Sequence, residues 1–303
     1  MSLVLTADMC LMNSDALIQA IDQIGIETLF LMLLAPIFLI SIGVEAWWWA
    51  RRDRADMYSW RDTFNNSVLA LSHQLADAAA WTVLLKLFAW VWQYRLLDIE
   101  LTVASVFVLW LAQDFLYYWF HRSFHRVRWM WASHVVHHSS ERLNLSTAFR
   151  QSLTYPISGM WLYWLPLAWI GFAPEHIVLT VAANLAFQFF VHTQAVPKLG
   201  VLEWFMNTPR HHRVHHARNP DYIDRNYGGV LIIWDRLFGT FVEERDDEPC
   251  DYGIVRQVRT ENPLTMMFHE WRDMFADVAR PGPLWLRLKH LWAPPEWQRG
   301  REG

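Results

Sequence analysis

Between Ile26 and Ala50 the chain carries an apolar stretch, LFLMLLAPIFLISIGVEAWWWA at its heart, that stops abruptly at Arg51, Arg52 and Arg54. A hydrocarbon core of roughly 30 Å needs about 20 apolar residues in helix, so this one stretch commits the chain to a bilayer as solvent. A bilayer in turn permits only helices or closed barrels. Trp47 to Trp49 lie where an interfacial aromatic belt would sit. Further apolar windows follow at 66–92, 99–120, 153–172 and 176–192. The second contains His73, Asp77 and Lys86, which must face other helices rather than lipid. The last two are separated by Gly171, Ala173 and Pro174 and read as a tight hairpin, either two full spans or a re-entrant pair. The expectation is an all-α integral membrane bundle of four to five spans, with a cytosolic helical cap carrying the histidine cluster.

Composition agrees with that class. Of 303 residues, 53% are hydrophobic, 16% aromatic and only 18% charged, which is wrong for disorder. A formal net charge of −4 leaves no basic footprint for nucleic acid. Cys10 and Cys250 cannot make a disulfide framework or a thiolate zinc site.

Orientation follows from the basic residues. Residues 1–50 contain no Lys or Arg, which places the N-terminus outside and argues against a cleaved signal peptide with its positive leading region. Arg51, Arg52, Arg54 and Arg61 follow the first span, and Arg122, Arg126, Arg128, Arg142 and Arg150 follow the third, whereas the turns at 93–98 and 171–175 hold only Arg95. The expected organisation is a short extracytoplasmic segment (1–25), transmembrane helices with a cytosolic histidine loop at 121–150 (26–195), and a cytosolic cap with interfacial C-terminal helices (196–303). The chain is expected in the inner, cytoplasmic membrane with its active site facing the cytoplasm.

Fourteen histidines are present, and most fall in tight groups on that one side. His121 and His125 are spaced i, i+4; His134, His137 and His138 are spaced i, i+3, i+4; His212, His215 and His216 repeat that spacing. Residues so spaced share a helical face, and their rings can converge on a metal. Two matching triplets suggest two metals, and His192 at the end of the last apolar window is a candidate ninth ligand. A solvated basic face is the bland alternative, but Arg122, Arg126, Arg128 and Arg213 beside these rings would repel imidazolium ions. His73, His176, His269 and His290 stand alone, and His211 points about 100° away from His212.

Imidazole suits several transition metals. There is no His-Glu-x-x-His pattern and no Cys near the clusters, which lowers the zinc readings. Histidines at the mouth of an apolar bundle fit a dinuclear iron centre acting on a lipid chain, because an alkyl C–H bond offers no handle to acid, base or nucleophile. His137, His138, His215 and His216 are the candidate catalytic residues within that set. Asp114, two turns before His121, is a candidate to hold a ligand imidazole through its second nitrogen, or else to join a polar intramembrane network. Asn144 and Arg150 either order the site or a lipid head group, or lie on an exposed loop, and Asp235 is expected to fix the turn beneath the last motif. Leu264 to Trp292 reads as interfacial helices covering the site, or as a packed helical cap. Rival readings are a metal transporter or metallo-hydrolase using His73, Asp77 and Asp114, and a scaffold with a structural metal cluster.

From Asp114 to Phe241 the chain resembles the membrane-bound fatty acid hydroxylase and sterol desaturase superfamily. The resemblance rests on Asp114-Phe-Leu-Tyr-Tyr-Trp-Phe-His121-Arg-Ser-Phe-His125, on Trp131-Ala-Ser-His134-Val-Val-His137-His138, and on Asn207-Thr-Pro-Arg-His211-His212-Arg-Val-His215-His216. Asn226-Tyr-Gly-Gly and Trp234-Asp-Arg-Leu-Phe-Gly-Thr240 are also similar, especially to the bacterial members near the alkylglycerol monooxygenases. The resemblance implies that the eight motif histidines bind two iron ions, replaceable by zinc on purification. It further implies hydroxylation or desaturation of a fatty acyl, sterol-like or ether lipid with dioxygen and two electrons. A fused electron-carrier domain with a His-Pro-Gly-Gly motif, found in some relatives, is absent, so a separate electron-transfer protein or reductant is expected. Gln188 stands where certain fatty acid hydroxylases place another histidine.

Overall fold

The computed structural model describes residues 26–299, and among these there are helices and two isolated β-bridges but no strand. Helix α1 (Ile26–Ala50) is followed by α2 (Trp60–Gln93), α3 (Val103–Arg126) and α4 (Arg128–His138). Three of the described helices are long and apolar enough to cross a membrane, over Met32–Ala50, Ala55–Gln93 and Val103–Arg126. Their outward faces are apolar: Leu33, Ile40, Leu71, Leu75, Val83 and Phe107 are all more than half exposed. A water-soluble protein does not leave such a girdle uncovered. The reading of the first 25 residues as an outer segment lies outside the described residues.

Helix α3 does not stop at Phe120. It runs on to Arg126, so His121 and His125 sit on the last turns of a continuous helix rather than in a loop. Thr102 caps its start by accepting from the Ser105 backbone N–H. Lys86 departs from expectation, since it is exposed rather than turned toward other helices. It lies only two turns from the end of α2, within reach of the interface for a flexible four-carbon stem. His73 and Asp77 do face inward: His73 meets the Ser152 carbonyl at 3.1 Å and pairs with Asp77 at 3.5 Å.

The window 153–172 is not one continuous span. It breaks into α5 (Tyr155–Ser158), a 3₁₀ turn at Met160–Tyr163 and α6 (Leu165–Ile170). Gly159, in the left-handed region at φ 87°, ends α5, and Pro166 cannot continue a preceding helix because it lacks the donor N–H. The broken segment still covers the height of the bundle. It meets α2 at His73 through Ser152 and at Trp92 through Gly171, two positions roughly 28 Å apart along that helix. Helix α7 (Pro174–Phe189) returns, delivering His192 to the same end as α4. Phe120, Phe124, Trp164, Leu167 and Ile177 fill the core between these segments.

Beyond α7 come three shorter pieces and a helical cover: α8 (Pro209–His215), α9 (Ile233–Phe238), α10 (Pro263–Ala279) and α11 (Leu284–Lys289). Helix α10 packs on α4 with Met266, Met267, Trp271 and Met274 buried, while Leu264, Phe268 and Phe275 stay exposed. The interfacial and packed-cap readings of this segment therefore describe two faces of one helix.

Arg150 is buried and ties the first cluster-bearing layer to α2. Its Nε donates to the Val136 carbonyl and Ser139 Oγ, and Nη1 donates to Asp62 Oδ1 at 2.8 Å and Asn66 Oδ1 at 2.9 Å. Replacing it with Met removes these bonds and strands a partly buried carboxylate. Arg150→Met should cost about 3 kcal/mol of stability, read as a lowered unfolding midpoint in detergent; an unchanged midpoint contradicts this role.

Candidate metal centre

Nine imidazoles from four segments converge, and the geometry sorts them into two groups. His121, His125, His134, His138 and His215 form one, and His137, His192, His212 and His216 form the other; within each, potential ligand atoms all lie within 4.8 Å of one another. Every ring is buried. Each triplet is divided between the groups: His134 and His138 go to the first and His137 to the second, while His212 and His216 go to the second and His215 to the first.

The partners of the outer ring nitrogens fix which nitrogen faces inward. Nδ1 of His121 lies 2.8 Å from the Tyr227 carbonyl, Nδ1 of His192 lies 2.6 Å from the Gln188 carbonyl, and Nδ1 of His215 lies 2.9 Å from the Arg225 carbonyl. Nδ1 of His137 faces the Arg150 carbonyl at 3.3 Å, and Nδ1 of His134 faces the Tyr155 hydroxyl at 2.7 Å. A carbonyl only accepts, so in His121, His192 and His215 the proton is on Nδ1 and the Nε2 lone pair points inward, whereas Nδ1 of His137 also faces the Gln151 side-chain amide at 3.3 Å. Yet His137 Nε2 and His192 Nε2 are 3.0 Å apart, His121 Nε2 and His134 Nε2 are 3.0 Å apart, and His212 Nε2 and His192 Nε2 are 2.9 Å apart. Each contact brings at least one inward-facing lone pair against a neighbouring ring nitrogen, an arrangement that a shared cation would satisfy. The Nε2 atoms of His125 and His215 likewise have no hydrogen-bond partner. The donor set of imidazole nitrogens, several of them held by outer partners, fits a first-row transition ion.

Burial, with neighbouring rings acting in the same direction, pushes His134, His137, His138, His212 and His216 well below the ordinary imidazole value; for His215 burial acts first and the His125 charge second. The rings are therefore neutral, as metal ligation requires. Asp224 stands at the edge of the first group. Burial would raise its carboxyl, but contacts with His125 Nδ1 at 3.4 Å and Arg126 Nη1 outweigh it and hold the group at about 2.

Asp114 does not touch a ligand ring. Its oxygens accept from the backbone N–H of Val230 at 2.8 Å and Leu231 at 3.1 Å, from Trp234 Nε1 at 2.9 Å and from Asn184 Nδ2 at 3.0 Å. The reading of Asp114 as a direct orienter of His121 is thus replaced by a clamp on the loop that follows α8. Asn144 is also away from the rings and is buried, which excludes the exposed-loop reading: it accepts from the Ser146 backbone N–H and donates to the Met57 carbonyl at 2.8 Å. Asp235 does fix its turn. It accepts from the Tyr227 and Gly228 backbone N–H groups at 2.8 and 2.7 Å and from Thr240 Oγ1, and burial raises it to about 6. His211 points away from the cluster onto Phe241, and burial lowers it to about 4. His176 sits near the opposite end of α7 from His192 and joins neither group. Gln188 stays outside both groups as well, accepting from the Tyr117 hydroxyl while its backbone carbonyl holds His192.

Sequence reading missed Tyr155, Tyr227, Arg225 and Glu45. The first three supply Nδ1 partners. Glu45, on the buried stripe Phe38-Ile42-Glu45 of α1, accepts from Thr193 Oγ1, Tyr58 OH and the Leu145 N–H, bracing the residue next to His192. Its place one turn beyond Ile42 on an otherwise apolar helix was the available signal.

Fold and site together define a helical membrane domain enclosing two adjoining all-histidine groups that could each hold a metal ion. Residues 106–240 match the fatty acid hydroxylase family model. It is 41% identical over 236 residues to an alkylglycerol monooxygenase of Xenopus tropicalis, covering 75% of this chain and 51% of that protein. It is 33% identical over 146 residues to the ornithine lipid hydroxylase OlsE of Rhizobium tropici (48% of this chain, 44% of the relative). It is 29% identical over 146 residues to the lathosterol oxidase of Homo sapiens (47% and 46%). The chain spans about half the length of the alkylglycerol monooxygenases it matches. No solved structure matches it at a significant level.

Tyr155→Phe removes the one hydroxyl at His134 Nδ1 without changing the ring. Loss of such an outer partner should weaken metal affinity about 10- to 100-fold, measured by metal retention against a chelator series; wild-type retention contradicts the assignment.

Proposed function

We propose that this chain is a membrane-bound lipid oxygenase whose two histidine groups hold one iron ion each, with zinc able to replace iron on purification. The observation that carries the reading is the convergence of nine buried imidazoles into two groups, within each of which the potential ligand atoms lie within 4.8 Å of one another. Iron so held supplies the activation of dioxygen that attack on an alkyl C–H bond requires. The chain's own residues do the rest. His137 and His215 each cross from the helix of their own triplet to the opposite group, locking α4 and α8 to a fixed separation. The carbonyls of Gln188, Tyr227 and Arg225 keep the protons of His192, His121 and His215 outward, and all nine rings are buried away from water.

The names of the relatives, an alkylglycerol monooxygenase, an ornithine lipid hydroxylase and a lathosterol oxidase, support a lipid as substrate and hydroxylation or desaturation as the outcome. Electrons come from a separate carrier protein or reductant. A transport path through His73, Asp77 and Asp114 is not favoured: His73 is held by Ser152 and Asp77, and Asp114 by backbone donors of a different loop.

Purified full-length chain should contain two iron atoms and convert an alkylglycerol, ornithine lipid or sterol to a product with one added oxygen, or two fewer hydrogens, when given dioxygen and reductant. His137→Ala and His215→Ala should abolish turnover. Elemental analysis showing a single metal in active protein, or turnover surviving either substitution, overturns the dinuclear reading.

The basic residues at 51–61 and 122–150 support placing the histidine end, the 196–303 cap and the C-terminus on the cytoplasmic side of the inner membrane, with the N-terminus outside. Reporter fusions after Asp22 and after Arg301 should report opposite sides; the same side for both refutes this topology.

A further inference from the structure

Away from the metal centre, the far end of α4 opens onto a cleft of about 420 Å³ between α10 and the segment after α11. Arg128, at the start of α4, forms its floor and is only 2% exposed. Its five N–H donors can be accounted for one by one. Nε donates to Glu270 Oε1 at 2.7 Å, and Nη1 donates to Asp277 Oδ2 at 2.7 Å and to His290 Nδ1 at 3.3 Å. Nη2 is buried and has no partner. Trp297, lining the same cleft, also carries a buried Nε1 without a partner. Two buried donors left open at one cleft are costly unless an acceptor completes them.

Charge identifies the acceptor. Arg128, Arg256, Arg280 and Arg299 line the cleft, and the carboxylates among them are Asp277 and, just behind Arg128, Glu270. His290 accepts from Arg128 on Nδ1, and burial lowers its affinity for a proton, so it is neutral. Four guanidiniums against two carboxylates leave two positive charges. Arg256 and Arg280 are 62% and 72% exposed and make surface ion pairs with Glu270 at 3.5 Å and Asp277 at 2.9 Å, from which a long side chain can turn onto a ligand, while Arg128 is fixed by its three partners. Planar guanidinium forks suit phosphate oxygens.

We propose that this cleft is a phosphate-binding site, separate from the metal centre, in which Arg128 Nη2 and Trp297 Nε1 donate to phosphate oxygens and Arg256 and Arg280 close over them. The phosphate is borne by a lipid head group or by a soluble phosphate compound. Trp285 and Trp292 beside it are 59% and 54% exposed and provide an apolar edge for acyl chains. Arg128 lies six residues, about 9 Å of helix rise, from the nearest metal ligand on α4, His134. The site therefore stands independently of what the iron centre oxidises.

The test uses full-length protein in neutral detergent, titrated with inorganic phosphate and, separately, with a short-chain phosphatidic acid, with binding followed by calorimetry and by native mass spectrometry. One phosphate-bearing ligand per chain is expected. Binding of both probes points to the soluble source and binding of the lipid alone to the head group, and either supports the site. Arg128 is too deeply paired to substitute safely, so the decisive variant is Trp297→Phe, which removes one donor without altering charge. It should weaken binding about tenfold at unchanged iron content, as should Arg280→Gln. Failure of both probes to bind, or equal binding by wild type and Trp297→Phe, overturns the proposal, because a nonspecific attraction to basic surface does not sense the indole N–H.

Discussion

An imidazole is best held with its lone pair toward a shared centre when the proton on its other nitrogen is accepted elsewhere. In a dry interior each such acceptor must be supplied by the protein. Much of the fold follows from meeting that demand. Gln188 provides its carbonyl from the last turns of α7, and Tyr227 and Arg225 from the loop after α8; Tyr155 provides its hydroxyl from α5. The break of the fourth apolar segment into short pieces belongs to the same requirement. A straight helix has its carbonyls bonded internally, whereas the turn into α5 brings Tyr155 beneath His134 and leaves the Ser152 carbonyl to meet His73.

The division of each triplet between two groups is a consequence of helical rotation. At about 100° per residue, positions i and i+4 are roughly 40° apart, while i+3 lies about 60° to the other side of i. His134 and His138 thus face one way and His137 the other, and His212 and His216 are related to His215 in the same manner. Two helices carrying this spacing, set against each other, build two pockets that each borrow one ring from the opposite helix. Neither group can assemble in full if α4 and α8 separate, because each takes one ring from the opposite helix.

This explains what was legible in the sequence. The nine converging histidines are named by residue type and spacing alone, because ligation depends on the side chain and the periodicity of the helix that carries it. The long spans were legible because length and apolarity are summed over many residues. The outer partners of the rings were not, since a backbone carbonyl is the same in Gln188, Arg225 or Tyr227 and leaves no trace in residue identity. Lys86 was misread for a different reason: the rule that intramembrane charges face other helices does not allow for a flexible four-carbon stem that reaches the interface from two turns inside the helix end.

Asp114 shows how a correct chemical instinct can miss the route. The carboxylate does govern a ligand ring, but through the backbone of another segment. Asp114 takes the N–H groups of Val230 and Leu231, Asp235 takes those of Tyr227 and Gly228, and between them the loop is held at both ends. The carbonyl of Tyr227 in that loop then fixes His121, and the carbonyl of Arg225 just before it fixes His215. Loop and α3 must lie almost in contact for this to work. A Cβ at Gly229 would come within 2.8 Å of Tyr117 and 2.7 Å of Asn184, and one at Gly228 within 2.5 Å of the Leu231 carbonyl. The paired glycines are therefore the steric condition for the carboxylates to reach the loop, and the loop is the means by which two acids, neither within reach of an imidazole, set the direction of two imidazole lone pairs.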